Sequence, residues 1–358
     1  MNAILFLGDF FSDARCINMV DSIIDAGKDI VIIDSGNGGG TYRNKKIHHI
    51  PLSASGIYKY LKFYRQSKKI LKAVSPICII AGDLYSLPSA ASQSPAKLIY
   101  DSREIYTQLA GLKGKPIKQL FWSFMERIFI NKASMVVVTA DSDSEVLKSI
   151  YGDIPCITLK NFPSKKNLPT SPVDLYSILN IPQLSPIFLY QGMLHKGRGI
   201  EQVIPLLEKF KDAHYVVLGE GPFKIEFEGM SKKSGVQNRV HCLGSIPYSE
   251  LMNYTAGATI GFSLIESLSE SYEHALPNKI FEYAVVGLPV IASNLPEMKN
   301  AITKFDLGYC VEFGDEVALT KGVENILSGY NNDGFKPNPQ LFWESQEDIF
   351  IDIIHSHD

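Results

Sequence analysis

The chain has 358 residues, 45% apolar and 20% charged, with a mean hydropathy near zero. It is long for one core, and its composition is neither disordered nor fibrous. It has no run of about 18 uncharged apolar residues, so no transmembrane helix is expected. A net charge of −3 conceals an asymmetry: residues 1–170 carry 22 basic and 14 acidic side chains, residues 171–358 carry 13 and 24. A basic first half is suited to an anionic partner.

From the N-terminus, "MNAILFLGDFFSD" reads as a first core strand rather than a signal peptide. Further apolar runs follow: "DIVIID", "ICIIA", "KLIY" and "MVVVT", then "IFLYQ", "HYVVLG", "RVHCL", "ATIGF", "LPVIAS" and "YCVEF". Continuous Val/Ile-rich runs are expected of strands buried on both faces of a parallel sheet. The intervening segments suit amphipathic helices; "INMVDSIIDAGKD" sets Ile17, Val20 and Ile24 on one side and stops at Gly27. This alternation predicts doubly wound α/β layers. Prolines 163, 169, 172, 182 and 186 interrupt the pattern, so the boundary falls near 163–186. The expected parts are a Rossmann-like domain 1–165, a linker 166–186, a second such domain 187–340 and a closing helix 341–358. In that helix Phe342, Ile349 and Ile353 form the apolar stripe beside Trp343. The five scattered cysteines read as reduced, buried cytoplasmic thiols.

Ligands of open α/β sheets lie at the carboxyl ends of the strands, here in a cleft between two domains. Several segments would reach that edge. "YQGMLHKGRGIEQVI" runs from a strand into a Gly-rich turn bearing Lys196 and Arg198, then into a helix. Turn amides, two cations and a helix N-terminus suit a diphosphate, although a solvated turn fits equally ordinary spacing. "LPNKIFEYAVVGLPVIAS" reads as loop, helix and strand, with Pro277 in the first turn, Asn278 near the cap and Gly287 at the end. Lys279 and Glu282, three apart, share a face. By spacing alone they form a surface ion pair worth at most ~1 kcal/mol. "LGEGP" and "LGSIPYSEL" each open a turn after a strand, the latter starting a helix near Ser249 and Glu250. In the first half, Gly8, Asp13 and Arg15 fall in the loop after strand one, and Asp101 and Arg103 after another strand.

Together these pieces, in order, resemble a family 4 retaining glycosyltransferase (glycosyl transferases group 1) of GT-B fold over nearly the whole chain. The pieces are "SDAR", "YDSREIY", "LKNFP", "YQGMLHKGRGIEQVI", "VVLGEGP", "LGSIPYSEL" and above all "LPNKIFEYAVVGLPVIAS". The resemblance implies that Glu282 holds the ribose hydroxyls of a nucleotide-sugar donor. It implies that Arg198, with Lys196 beside it and Lys279 nearby, holds the diphosphate, and that the backbone of Ser245, Ile246 and Pro247 meets the base. Gly8, His274 and Asn278 complete the expected donor site; Asp13, Arg15, Asp101 and Arg103 lie on the acceptor side. Two positions depart from the pattern. His274 stands where the family often has a second Glu, and Arg103 stands where it often has a His, so no catalytic base is named. Retaining members need none when the departing diphosphate takes the acceptor proton. No metal is expected.

The implied activity is a hexosyl- or N-acetylhexosaminyl-type transferase acting on a glycan or lipid-linked acceptor in bacterial surface polysaccharide (lipopolysaccharide, cell envelope) synthesis, with UDP-sugars favoured. The alternatives are a nucleotide-sugar epimerase of the same fold and a degenerate glycan-binding scaffold. Within the basic half, "IYKYLKFYRQSKKILKAV" (57–74) concentrates Lys59, Lys62, Arg65, Lys68, Lys69 and Lys72 among aromatic residues. It is either an interfacial helix on an anionic membrane or a solvated face; the basic lobe around it favours the membrane. Nucleic acid fits less well, since no binding module is recognisable. The implied location is cytoplasmic and peripheral to the membrane's inner face.

Overall fold

The structure, a computed structural model, describes residues 1–36, 40–52, 56–93, 95–108, 114–329 and 336–355. Two units emerge, Met1–Asn161 with Trp343–Asp358, and Phe162–Phe342.

The first unit holds strands β1 (Asn2–Leu5), β2 (Ile30–Asp34), β3 (Gly40–Tyr42), β4 (Lys45–His49), β5 (Cys78–Ala81), β6 (Lys97–Ser102), β7 (Met135–Val138) and β8 (Cys156–Thr158). They lie side by side as β3-β4-β2-β1-β5-β6-β7-β8, parallel except where β3 meets β4. The central runs are apolar throughout because both faces are covered: Ile4 is flanked by Ile32 and Ile80, all fully buried. The covering helices are α1 (Ala14–Asp25), α2 (Ile57–Val74), α3 (Leu87–Ala90), α4 (Pro116–Ile130) and α5 (Asp141–Tyr151). Asp13 caps α1, its Oδ1 accepting from the Cys16 N–H at 2.8 Å, and Cys16, Met19, Val20 and Ile23 face the core. The face is rotated from the expected one, so Ile17 and Ile24 sit half-buried at its margin.

In the second unit, β9 (Ile187–Gln191), β10 (His214–Leu218), β11 (Val240–Gly244), β12 (Ile260–Ser263), β13 (Val290–Ser293) and β14 (Gly308–Val311) form one parallel sheet, ordered β11-β10-β9-β12-β13-β14. That is the doubly wound order in which the connections reverse between β9 and β12. Its helices are α6 (Leu175–Leu179), α7 (Ile204–Lys209), α8 (Lys224–Lys233), α9 (Tyr248–Thr255), α10 (Glu270–Glu273), α11 (Asn278–Val285), α12 (Pro296–Phe305) and α13 (Glu316–Gly329).

Residues 166–186, read from sequence as a linker, fold as part of this unit. Leu175 and Ile181 bury into its core, and the Val173 N–H donates to the Asn253 carbonyl at 2.8 Å. Prolines shorten the helix here without freeing the segment. The chain then returns to the first unit through Trp343, whose Nε1–H donates to Ser22 Oγ at 2.8 Å, and α14 (Glu347–His355). The inner face of α14 is Phe350, Ile353 and Ile354; Ile349 points outward and Phe342 belongs to the second core. The helical period starting at Glu347 sets that phase, not the one read from sequence. Residues 356–358, expected at the helix end, lie outside the described residues.

Candidate functional site

In the second unit, the reversal between β9 and β12 brings the ends of both strands to one edge. Gln191 closes β9 and Ser263 closes β12. The turn after β9 must cross close to β12. Gly199 has φ +64°, and a Cβ there would stand 2.0 Å from the Leu264 carbonyl oxygen, so no other residue fits without displacing the backbone. Past it the chain forms a 3-10 turn, Ile200–Val203, before the six-residue α7. The helix expected here is thus two short pieces. On the other side of β12, the Tyr283 ring of α11 packs over Gly261, where a Cβ would come within 2.3 Å of it. The Gln191 N–H donates to Tyr283 Oη at 3.1 Å. This close approach fixes α11 against the end of β9.

Lys279 and Glu282 therefore do not form the surface pair that their spacing suggests. They are 9% and 6% exposed, and no ion pair joins them among the described residues. Glu282 Oε2 instead accepts from Gln191 Nε2 at 2.5 Å, and Gln191 Oε1 accepts from Thr255 Oγ1 at 2.8 Å. Burial pushes the Glu282 carboxyl up to about 7, against the opposing pull of the Gln191 hydrogen bond and of Lys279. Lys279 Nζ lies 3.6 Å from the Tyr190 ring centroid and beside Gly192. Burial, and then the neighbouring Arg198 charge, hold its ammonium well below the usual lysine range.

Arg198 is half-buried, its guanidinium 4.9 Å from the Tyr272 ring centroid. Neither Arg198 nor Lys279 has a carboxylate within 4.0 Å among the described residues. Glu282 acts on Lys279 only from beyond ion-pair distance, and two neighbouring cations without a contacting counter-ion are unfavourable unless something anionic joins them. Lys196 is not part of this pair. It is largely exposed, ion-paired to Glu226 of α8 at 2.9 Å and placed over the Phe223 ring. The expected grouping of Lys196 with Arg198 thus becomes Lys279 with Arg198.

Three polar atoms near these elements are buried without a hydrogen-bond partner: Ser263 Oγ, Glu201 Oε2 and His274 Nδ1. Each represents hydrogen-bonding capacity left open by the protein. His274 lies in the turn between α10 and α11, and Asn278 opens α11 after Pro277, which occupies the cap itself. Ser245 and Pro247 are exposed and Ile246 packs on the core, at the end of edge strand β11, two strands from Gln191. Gln191, Thr255, Tyr190, Tyr272 and Glu201 were not singled out from the sequence. A terminal Gln on the otherwise apolar run "IFLYQ" is the one local signal that could have pointed to them.

In the first unit, Gly8 follows β1 and its carbonyl accepts from the Ser35 N–H at 2.8 Å. Arg15 and Asp101, expected in open loops, are instead buried in α1 and β6. Arg15 Nε and Nη2 donate to Asp101 at 2.7–3.0 Å, and Nη1 donates to the Leu159 carbonyl and Asn161 Oδ1. Arg103 bridges Asp101, at 2.8 Å, and Asp13, and also reaches Cys16 Sγ at 2.9 Å. Burial pushes the Asp101 carboxyl up, but the Arg15 and Arg103 guanidiniums outweigh it and hold the group below the usual carboxylate range. The four residues do converge, as a closed network in which only Asp13 and Arg103 reach solvent. No cluster of three or more His, Cys, Asp or Glu side chains able to hold a metal occurs among the described residues. None of the described helices is long and apolar enough to cross a membrane.

Two Rossmann-like units of this kind define the class: the chain has the GT-B fold. It is similar to sucrose-phosphate synthase from Thermosynechococcus elongatus (16% identity, covering 99% of this chain and 95% of that one, TM-score 0.76). It is also similar to WaaG, a glycosyltransferase involved in lipopolysaccharide biosynthesis (14%, 100% of each chain, TM-score 0.76). Anabaena HepE in complex with UDP and glucose is a third such structure (15%, 91% and 89%, TM-score 0.70). More specifically, residues 176–334 match the family described as glycosyl transferases group 1, so the match falls on the second unit and spans the Arg198–Lys279–Glu282 site. No curated protein sequence matches the chain.

Proposed function

We propose that the protein is a retaining glycosyltransferase of family 4 that moves a sugar from a nucleotide-diphosphate donor, UDP-linked by preference, to a glycan or lipid-linked acceptor of a bacterial surface polysaccharide. The observation that carries this reading is the Arg198–Lys279 pair, without a carboxylate partner, beside the buried Glu282. A diphosphate would supply the missing negative charge. Glu282, with Oε2 held by Gln191, would accept from the ribose hydroxyls. Ser245–Pro247 would line the base, and His274 would face the sugar. Lys196 would join only by leaving Glu226. Asp13 and Arg103 would border the acceptor, positioned by Arg15 and Asp101.

In the reaction the bond from the sugar's anomeric carbon to the diphosphate oxygen breaks. A bond to the acceptor oxygen forms on the same face, and the acceptor proton passes to the departing diphosphate. No protein base is required. The cations contribute by stabilising charge that grows on the leaving group, and the site by holding both partners in register. The sugar, hexosyl or N-acetylhexosaminyl, is set at the His274 end. With this reading goes a cytoplasmic protein whose segment 57–74 meets an anionic membrane.

Thermal-shift titration with UDP-, GDP-, ADP- and dTDP-sugars tests the donor site. At least one is expected to raise the melting temperature of the wild type and to do so far less for Glu282→Ala. No shift with any of them, or an undiminished shift in the variant, overturns the assignment.

A further inference from the structure

Helix α4 is amphipathic in the wrong sense for a core helix. Only Glu126 and Ile130 are fully buried, while Ile117 (84% exposed), Leu120 (73%) and Phe124 (60%) face solvent together with Phe121 and Ile128. Positions 117, 121, 124 and 128 recur at helical spacing, so the apolar stripe is continuous and turned outward. Its single carboxylate, Glu126, points into the core and accepts from Tyr100 Oη at 2.6 Å and Tyr151 Oη at 2.7 Å. The outward face therefore carries cations only, Lys118 and Arg127. Helix α2 contains no acidic residue and exposes Ile57, Tyr58 and Leu61 at its start.

The two helices meet through an aromatic cluster. Tyr60 stacks on Tyr85 at 4.8 Å, and Trp122 lies edge-on to both at 4.9 Å. Between them opens a groove of about 670 Å³ lined by Tyr60, Tyr85, Phe121 and Trp122, with Lys59 and Lys118 among its walls. Exposed aliphatic side chains, aromatic rings beneath them and lysines alongside match the layers of a bilayer interface: acyl region, headgroup boundary and anionic surface. A second copy of the chain is a poorer occupant, because a two-fold contact would set these lysines against their own like charges.

We infer that α4 and the start of α2 form a bilayer-docking face, in which the α4 stripe enters the acyl boundary of an anionic membrane and the flanking lysines contact its headgroups. This deepens the membrane contact proposed for 57–74: a purely electrostatic touch along α2 becomes an anchored one, with α4 as the inserting element.

The test is co-sedimentation of the full chain with vesicles of phosphatidylglycerol and phosphatidylcholine, compared with phosphatidylcholine alone. Brominated acyl chains report on Trp122, since the other tryptophan, Trp343, is buried in the first core. The wild type is expected to pellet with the anionic vesicles and to show quenching of Trp122. Leu120→Glu with Phe124→Glu should abolish both while keeping the melting temperature and the UDP-sugar shift. Neutralising Lys59 or Lys118 should weaken binding about fivefold each. Equal pelleting of the Leu120/Phe124 variant, with loss only on neutralising 57–74, overturns the insertion and leaves the electrostatic contact standing. No pelleting of the wild type overturns both, while the UDP-sugar shift reports separately on the donor site. A lipid-free dimer that the Leu120/Phe124 variant dissociates, with no vesicle binding by the wild type, assigns the face to a second copy and also overturns the proposal.

Discussion

Each unit holds a cluster of charged side chains near the edge of its sheet, and the two clusters differ in how far the protein satisfies them. In the first unit Arg15, Asp101, Arg103 and Asp13 saturate one another: the buried carboxylate accepts from two guanidiniums, and Arg15 also donates to a carbonyl and an amide. In the second, Arg198 and Lys279 lie close together with no carboxylate within 4.0 Å among the described residues, and Glu282, although it feels the Lys279 charge, is hydrogen-bonded to an amide rather than to a cation. Charge that is matched internally stiffens a scaffold; charge left unmatched at a sheet's reversal point is open to a ligand. The contrast can be broken from either side.

The largest effect is expected from Asp101→Ala, which strands the buried Arg15 guanidinium and takes one of two carboxylate partners from Arg103, and should destabilise the first unit by about 3–5 kcal/mol in urea. The UDP-sugar shift of the second unit should persist. Next comes Arg198→Ala. Loss of a charge-assisted contact should weaken UDP-glucose binding between about 10- and 150-fold in calorimetry, with stability changed by less than ~0.5 kcal/mol.

The pH dependence is smaller. With its carboxyl at about 7, Glu282 is mostly protonated at pH 6 and mostly ionised at pH 8. Ribose binding by the carboxylate should therefore strengthen about tenfold over that interval, and Glu282→Gln should flatten the profile. In the empty protein the sign reverses. The folded carboxyl keeps its proton to about 7 while the unfolded one releases it near 4.5, so this group's contribution to stability falls as pH rises between those values. Lys279, displaced downward, contributes in the opposite sense: the unfolded chain keeps its proton to higher pH, and stability gains above the folded pKa. Smallest of all is Lys196→Ala. It removes an exposed pair worth at most ~1 kcal/mol and should change donor affinity less than about fivefold.

Much of the fold could be read from continuous Val/Ile runs, because strands covered on both faces leave no polar positions to blur them. The missed strands are the ones at or next to an edge. β4, "KKIHH", fully buries only Ile47, β8 is three half-buried residues, and the β3–β4 hairpin turns through Arg43 and Asn44 at positive φ without an Asn-Gly signal. At the site, Glu282 stood out only through a family likeness, since spacing cannot distinguish a buried pair from a surface one. Gln191 and Thr255 escaped notice because Gln191 reaches Glu282 across 91 positions of sequence and Thr255 reaches Gln191 across 64. The α4 stripe was equally invisible, as an apolar helical face is ordinarily assigned to the core.

Lys279 offers the most direct test of the central claim that the second cluster is held unmatched for a ligand. Lys279→Met keeps the length of the side chain over Tyr190 and removes the buried charge. The account predicts a higher melting temperature for the empty variant together with loss of the UDP-glucose shift, stability gained as function is lost. An empty variant less stable than the wild type, or one that still responds fully to UDP-glucose, would contradict it.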